Sequence, residues 1–138
     1  MWEYSGNFTE EQKRVLFSLV AIEKVTSLKL HRVFNDLNSI EKILDLSVPE
    51  LAVYFGSNAE EIYTKLHNNM EFDFESYFEF YKVKYMFCDD VYYPKEFFRV
   101  YDYPYVIFYR GNKDLLLFRR KISIVGSRNN TSYSKDAL

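Results

Sequence analysis

Apolar residues recur at helical spacing over roughly the first 84 residues and in short strand-like runs after that point. The later runs occupy residues 85–88, 105–109 and 122–125, and four or five residues is an ordinary length for a strand. The chain is therefore predicted to be α/β overall. A helical domain is expected over residues 1–84, and the opening strands of a second domain over residues 85–138.

Capping residues predict where several helices begin and end. Thr9, with Gln12 three positions later, has the pattern of a capping box before the first apolar stripe. A second helix over residues 28–37 is expected to end at Asn38, since asparagine tolerates the left-handed conformation. Ser47 followed by Pro49 predicts another start. Further helices are expected at residues 40–44, at 59–66, where residues 67–69 break the pattern, and from about residue 74.

Charge is distributed unevenly along the chain. Residues 1–108 hold 11 Lys and Arg against 18 Asp and Glu, a net of −7, whereas residues 109–138 hold 7 against 2, a net of +5. An anionic ligand is therefore expected near the C-terminal end. The single cysteine, Cys88, excludes an internal disulfide and is expected to be buried. No secretory signal or membrane-spanning run is recognised, so a cytoplasmic protein is expected.

The sharpest local pattern is a β-branched run that leads into Gly126, Ser127 and Arg128. In a strand–turn–helix unit, glycine lets the backbone approach a ligand, and the helix N-terminus offers free N–H groups to a phosphate. Arginine can add a bidentate contact. Spacing alone leaves two interpretations open, a phosphate site or a plain βα turn with a surface arginine.

Two other groups of residues have a structural and a functional interpretation. The acidic residues within 71–75 are expected to form a solvated face, with a pair of catalytic carboxylates as the alternative. Four tyrosines of the second half could form a stacking surface, but core packing is favoured for them. These tyrosines are Tyr92, Tyr93, Tyr105 and Tyr109. For the basic residues 119–121, ordinary surface charge is favoured.

An ordered set of short motifs extends through the second half of the chain. It comprises Asp90 to Pro94, Pro104, Phe108 to Asn112, and Ile124 to Arg128 followed by Tyr133. In this order and spacing, the set resembles the DNA-processing protein A family, also called Smf. The helical residues 34–51 are similar to that family's helical domain as well.

The resemblance implies a small all-α, SAM-like domain followed by a Rossmann-type domain. It also implies binding of single-stranded DNA and loading of a RecA-type recombinase during natural transformation, or competence. Catalysis, a metal and a cofactor are not implied, so the expectation is no enzyme, no metal and no cofactor. The binding residues it implies are Gly126, Ser127, Arg128 and Thr131, with Arg110 as a less secure addition.

The chain also departs from the family pattern. Residues 24–27 contain no glycine where a helix–hairpin–helix turn is common, and Ser134 stands in place of a glycine. The Rossmann-type domain is expected to be truncated. A homodimer and clear DNA binding are therefore expected of a full-length parent. This chain is expected to bind DNA weakly or not at all. Two alternatives stay open: a nucleotide-binding or nucleotide-sensing module or enzyme of the same Rossmann family, and a protein-interaction module.

Overall fold

The computed structural model describes residues 7–125, and within them helices come first and strands second. The α-helices are α1 (Glu10–Val20), α2 (Ser27–Leu37), α3 (Val48–Phe55), α4 (Ala59–Asn69) and α5 (Phe74–Phe80). The strands are β1 (Lys84–Phe87) and β2 (Val106–Tyr109). Short 3₁₀ helices lie at Glu41–Asp45, Gly56–Asn58, Lys95–Arg99 and Lys113–Leu117. The prediction of mixed α and β structure is confirmed at this level.

The helix starts and stops predicted from capping residues are confirmed. The Thr9 hydroxyl accepts a hydrogen bond from the Gln12 N–H, and the Gln12 side chain accepts one from the Thr9 N–H. Asn38 ends α2 with φ of 57°. The Ser47 hydroxyl accepts from the Glu50 N–H at the start of α3. Each of these caps satisfies backbone groups that a helix end otherwise leaves without a partner.

Other helix boundaries differ from the sequence prediction. The segment expected to break α4 continues the helix to Asn69. There the Asn69 amide donates to the Ser18 carbonyl of α1 over 2.9 Å, so a contact with a distant element holds the last turn. The segment at residues 40–44 is a 3₁₀ helix at Glu41–Asp45. Tertiary contacts outweigh weak local preferences at these positions.

The two strands form an antiparallel pair. Lys84 lies opposite Tyr109 and Phe87 opposite Val106, and the Cys88 N–H donates to the Tyr105 carbonyl just beyond the pair. Directly opposed residues share a face, so Lys84, Met86, Ile107 and Tyr109 lie on one side of the sheet. The alternation of an extended strand thus places Ile107 and Tyr109 on one face of the sheet.

The prediction of a third strand at residues 122–125 is wrong. Those residues have no regular secondary structure, and Ile122 and Val125 are 88% and 92% exposed. A strand needs a neighbour that accepts and donates its backbone hydrogen bonds. Within residues 7–125, the sheet consists of β1 and β2 alone.

A single apolar core joins the helices to the sheet. Phe17 of α1 is buried and its ring lies 4.8 Å from that of Tyr85 and 5.2 Å from that of Phe87. Phe34 of α2 meets Tyr105 with ring centroids 5.4 Å apart. This core extends across residue 84, and the domain boundary predicted there stays a prediction. Among residues 7–125, no helix has the length and apolar character needed to cross a bilayer.

Candidate nucleic-acid interface

Four of the five predicted binding residues lie outside the described part of the chain. Gly126, Ser127, Arg128 and Thr131 follow Val125, where the description ends. Their grouping into a phosphate site therefore stays a prediction.

Arg110 is the fifth predicted residue, and the structure places it at one end of the sheet. It is exposed, and its guanidinium donates a hydrogen bond to the Tyr81 carbonyl over 3.1 Å. Gly111 follows with φ of 99°, a conformation that side-chain-bearing residues rarely adopt. The Lys84 ammonium lies 3.5 Å from the Gly111 carbonyl. The glycine thus turns the chain directly after β2 and leaves two cations at the surface.

The basic residues 119–121 have the surface character expected of them. All three are exposed, and the Lys121 ammonium lies 3.3 Å from a carboxylate oxygen of Glu96. An exposed pair of this kind contributes little to stability. It does pair one cation of the run with the 3₁₀ helix at Lys95–Arg99.

Motif residues in the loop between the strands act mainly as structural elements. The Asp90 carboxylate accepts from the Tyr92 N–H over 2.8 Å, which closes a turn. Asp89 accepts from the Phe8 N–H and so ties the loop to the start of α1. The Tyr93 hydroxyl donates to the Pro104 carbonyl over 2.5 Å and bridges the two ends of the loop.

Core packing is confirmed for two of the four candidate stacking tyrosines. Tyr93 and Tyr105 are 1% and 2% exposed, which excludes base stacking on their rings in this conformation. Tyr92 and Tyr109 are half-buried. The Lys113 ammonium lies 4.4 Å from the centre of the Tyr92 ring in a cation–π contact, so that ring already has a partner.

The acidic residues around α5 border an open groove of about 850 Å³ beside α1 and β1. Its lining includes carboxylates, the cations Lys13 and Arg14, and aromatic rings such as Phe74. The hydroxyl and N–H of Ser76 bond to Asp73 and hold the pKa of that carboxyl below its usual range. An ionised helix cap is a poor general acid, so the solvated-face interpretation fits Asp73 best. Within residues 7–125, no group of three or more His, Cys, Asp or Glu side chains could hold a metal ion.

The core beneath the loop also buries a thiol and an imidazole. Burial raises the pKa of the Cys88 thiol to about 12, so the thiol stays protonated and unreactive. His31 of α2 is also buried, and burial lowers its pKa. Sequence analysis missed His31 because its partners, Tyr103 and Tyr105, are more than 70 residues away in the chain.

The comparison with protein families bears on the second half of the chain. Residues 84–138 match the family model of DNA recombination-mediator protein A. The resemblance inferred from the ordered motifs is thereby confirmed over this segment. No curated protein and no solved structure matches the chain.

Proposed function

We propose that this chain acts in DNA recombination as a recombination mediator that binds single-stranded DNA. The observation that carries the proposal is the match of residues 84–138 to the DNA recombination-mediator family. The segment from Tyr109 onward also carries a net charge of +5, which favours an anionic ligand.

The proposed phosphate site is the turn at Gly126. Gly126 allows a close backbone approach, while Ser127 and Thr131 donate hydrogen bonds to phosphate oxygens. Arg128 pairs with the phosphate, and Arg110 contributes positive potential nearby. Binding of this kind releases counterions and weakens steeply as salt rises.

The finer architecture belongs to the same proposal. Residues 1–84 are a SAM-like helical domain, and residues 85–138 belong to a Rossmann-like domain of a homodimeric protein. The acidic surface of the helical part is poorly suited to DNA, because its charge repels phosphate. We assign it to contact with protein, and a RecA-type recombinase in the cytoplasm is the proposed partner.

The test is a titration of labelled oligo-dT with the chain at about 50 and 200 mM salt. The comparison is between wild type, Arg128→Ala and a control, Arg32→Ala, which removes an exposed cation from α2. We expect weak binding at the lower salt concentration that Arg128→Ala reduces and Arg32→Ala leaves unchanged. One lost phosphate contact lowers the slope of log affinity against log salt by about 0.7.

Two results would count against the proposal. Equal binding by wild type and Arg128→Ala would exclude the turn at Gly126 as a phosphate site. Full displacement of oligo-dT by a mononucleotide at similar concentration would favour the nucleotide-binding alternative, because a single strand spans more than one phosphate.

A further inference from the structure

Three aromatic rings are exposed side by side where α5 ends. Tyr77, Phe80 and Tyr81 are 46%, 78% and 50% exposed. The Tyr81 ring lies 4.7 Å from that of Tyr77 and 5.0 Å from that of Phe80. Isolated exposed aromatic residues are common, but neighbouring exposed rings mark an interaction surface.

Three cations lie close to the end of α5, through the chain itself or through the strand pair. Lys82 follows Tyr81 in the chain and has φ of 54°, so the chain turns sharply there. Lys84 opens β1, and Arg110 donates to the Tyr81 carbonyl, which places its guanidinium at the end of α5. None of the three is within ion-pair distance of a carboxylate in the described part of the chain.

We call this combination the α5–β1 corner, and its members are Tyr77, Phe80, Tyr81, Lys82, Lys84 and Arg110. The acidic residues closest in sequence are Glu75, Glu79 and Asp114. With Lys113 included, residues 75–84 and 109–114 hold four cations and three carboxylates, a net of +1. The corner is therefore a positive area on a helical part that is acidic overall.

Rings that lie next to cations are the chemical combination that single-stranded nucleic acids require. Every base has a flat face that stacks on an aromatic ring, and the phosphates between bases pair with Lys and Arg. A protein partner could also pack on the exposed rings. It would not explain why the neighbouring cations form no ion pair with a carboxylate. The arrangement favours a nucleic acid over a protein partner.

We propose that the α5–β1 corner is a contact site for single-stranded nucleic acid, separate from the turn at Gly126. Bases stack on Phe80 and Tyr81, and Lys82, Lys84 and Arg110 contact the neighbouring phosphates. The inference rests on the proposed function, because it assigns a second contact on the same class of ligand. It also gives the helical part of the chain a role in DNA contact that its net charge alone does not suggest.

The first experiment is a titration of labelled oligo-dT with the 138-residue chain at low salt. The variants are the double substitution Lys82→Gln with Lys84→Gln, and Phe80→Ala. Their matched controls are Lys42→Gln, an exposed cation on the 3₁₀ helix at Glu41–Asp45, and Val53→Ala, an apolar side chain 79% exposed on α3. All these side chains are exposed, so the variants are expected to fold.

We expect Phe80→Ala to weaken binding at least about fivefold, since one base–ring stack is lost. The double lysine variant should lower the salt slope by about 1.4, because two phosphate contacts disappear. Both controls should match wild type. Corner variants that bind like wild type would overturn the inference.

The second experiment is photo-cross-linking of an oligonucleotide that carries 5-iodo-deoxyuridine, followed by peptide mapping. Cross-links at Phe80 or Tyr81 are expected. Cross-links confined to residues 126–138, together with a loss of binding in Arg128→Ala, would exclude the contact site at the α5–β1 corner. The proposed function would then still hold. Cross-links at the corner with full binding by Arg128→Ala would support the contact site at the corner and exclude the phosphate site at the Gly126 turn.

Discussion

His31 and Tyr105 stack in the core with ring centroids 4.5 Å apart, and the Tyr105 hydroxyl oxygen lies 3.0 Å from His31 Nδ1. The other ring nitrogen, Nε2, lies 2.7 Å from the Tyr103 carbonyl oxygen. Because a carbonyl only accepts, Nε2 carries the proton and Nδ1 accepts from the tyrosine. The neutral imidazole thus satisfies both contacts and joins α2 to the loop before β2.

The stability of the chain should decrease in mild acid because of this histidine. Burial lowers the pKa of His31 from 6.5, and it outweighs the opposing effects of the Tyr103 carbonyl and Asp102. The folded state therefore favours neutral His31. The contribution of His31 to the free energy of unfolding is complete above its pKa in the unfolded state. It is lost as pH falls through 6.5 toward the pKa of His31 in the folded state. Urea unfolding between about pH 5 and 7.5 measures the free energy of unfolding.

The decisive variant is His31→Gln. His31→Gln should lower stability at neutral pH and flatten its fall between the two pH values. An unchanged pH dependence in His31→Gln would exclude His31 as the titrating group.

Tyr93→Phe should destabilise the chain by about 1 kcal/mol. The substitution keeps the buried ring but removes the hydroxyl that donates to the Pro104 carbonyl. Burial raises the pKa of Tyr93, so the hydroxyl stays a donor across the working pH range. Tyr101→Phe, at a ring 70% exposed, is the control. Equal denaturant midpoints for the two variants would mean that the bridge between the ends of the loop is not stabilising.

Thr9→Ala should cost about 1 kcal/mol, a typical value for the loss of an N-cap. The Gln12 N–H at the start of α1 would lose its acceptor, and the reciprocal bond of the capping box would lose its geometry. Thr64→Ala, at an exposed position within α4, removes the same atoms without a cap. Thermal unfolding followed by far-ultraviolet circular dichroism compares them. A smaller loss for Thr9→Ala than for Thr64→Ala would contradict the role of the cap.

Local chemistry made the helix boundaries predictable, whereas distant contacts did not appear in the sequence. The caps at Thr9, Asn38 and Ser47 depend on residues three or four positions away. The last turn of α4 depends on Asn69 and Ser18, which are 51 residues apart. A prediction from periodicity ends that helix early because the stabilising partner belongs to another element.

The same distinction applies to the candidate site. The motif residues were recognisable because their order along the chain is distinctive, and the family match over residues 84–138 agrees with it. The α5–β1 corner was not recognisable from the sequence, because Tyr81 and Arg110 are 29 positions apart and meet only when β1 pairs with β2. The strand expected at residues 122–125 was predicted from β-branched residues alone, and composition does not supply a pairing partner.

Phe17→Ala should destabilise the helices and the sheet together, by about 3–5 kcal/mol. Its buried ring contacts Phe78 of α5, Tyr85 and Phe87 of β1, and Phe108 of β2. Loss of the ring removes packing on both sides of residue 84, so helical circular dichroism and tyrosine fluorescence should report one shared transition. Phe80→Ala, at an exposed ring, should change stability by no more than about 0.5 kcal/mol. Two separated transitions in Phe17→Ala would indicate that residues 1–84 and 85–138 fold as independent domains, and would contradict the single core.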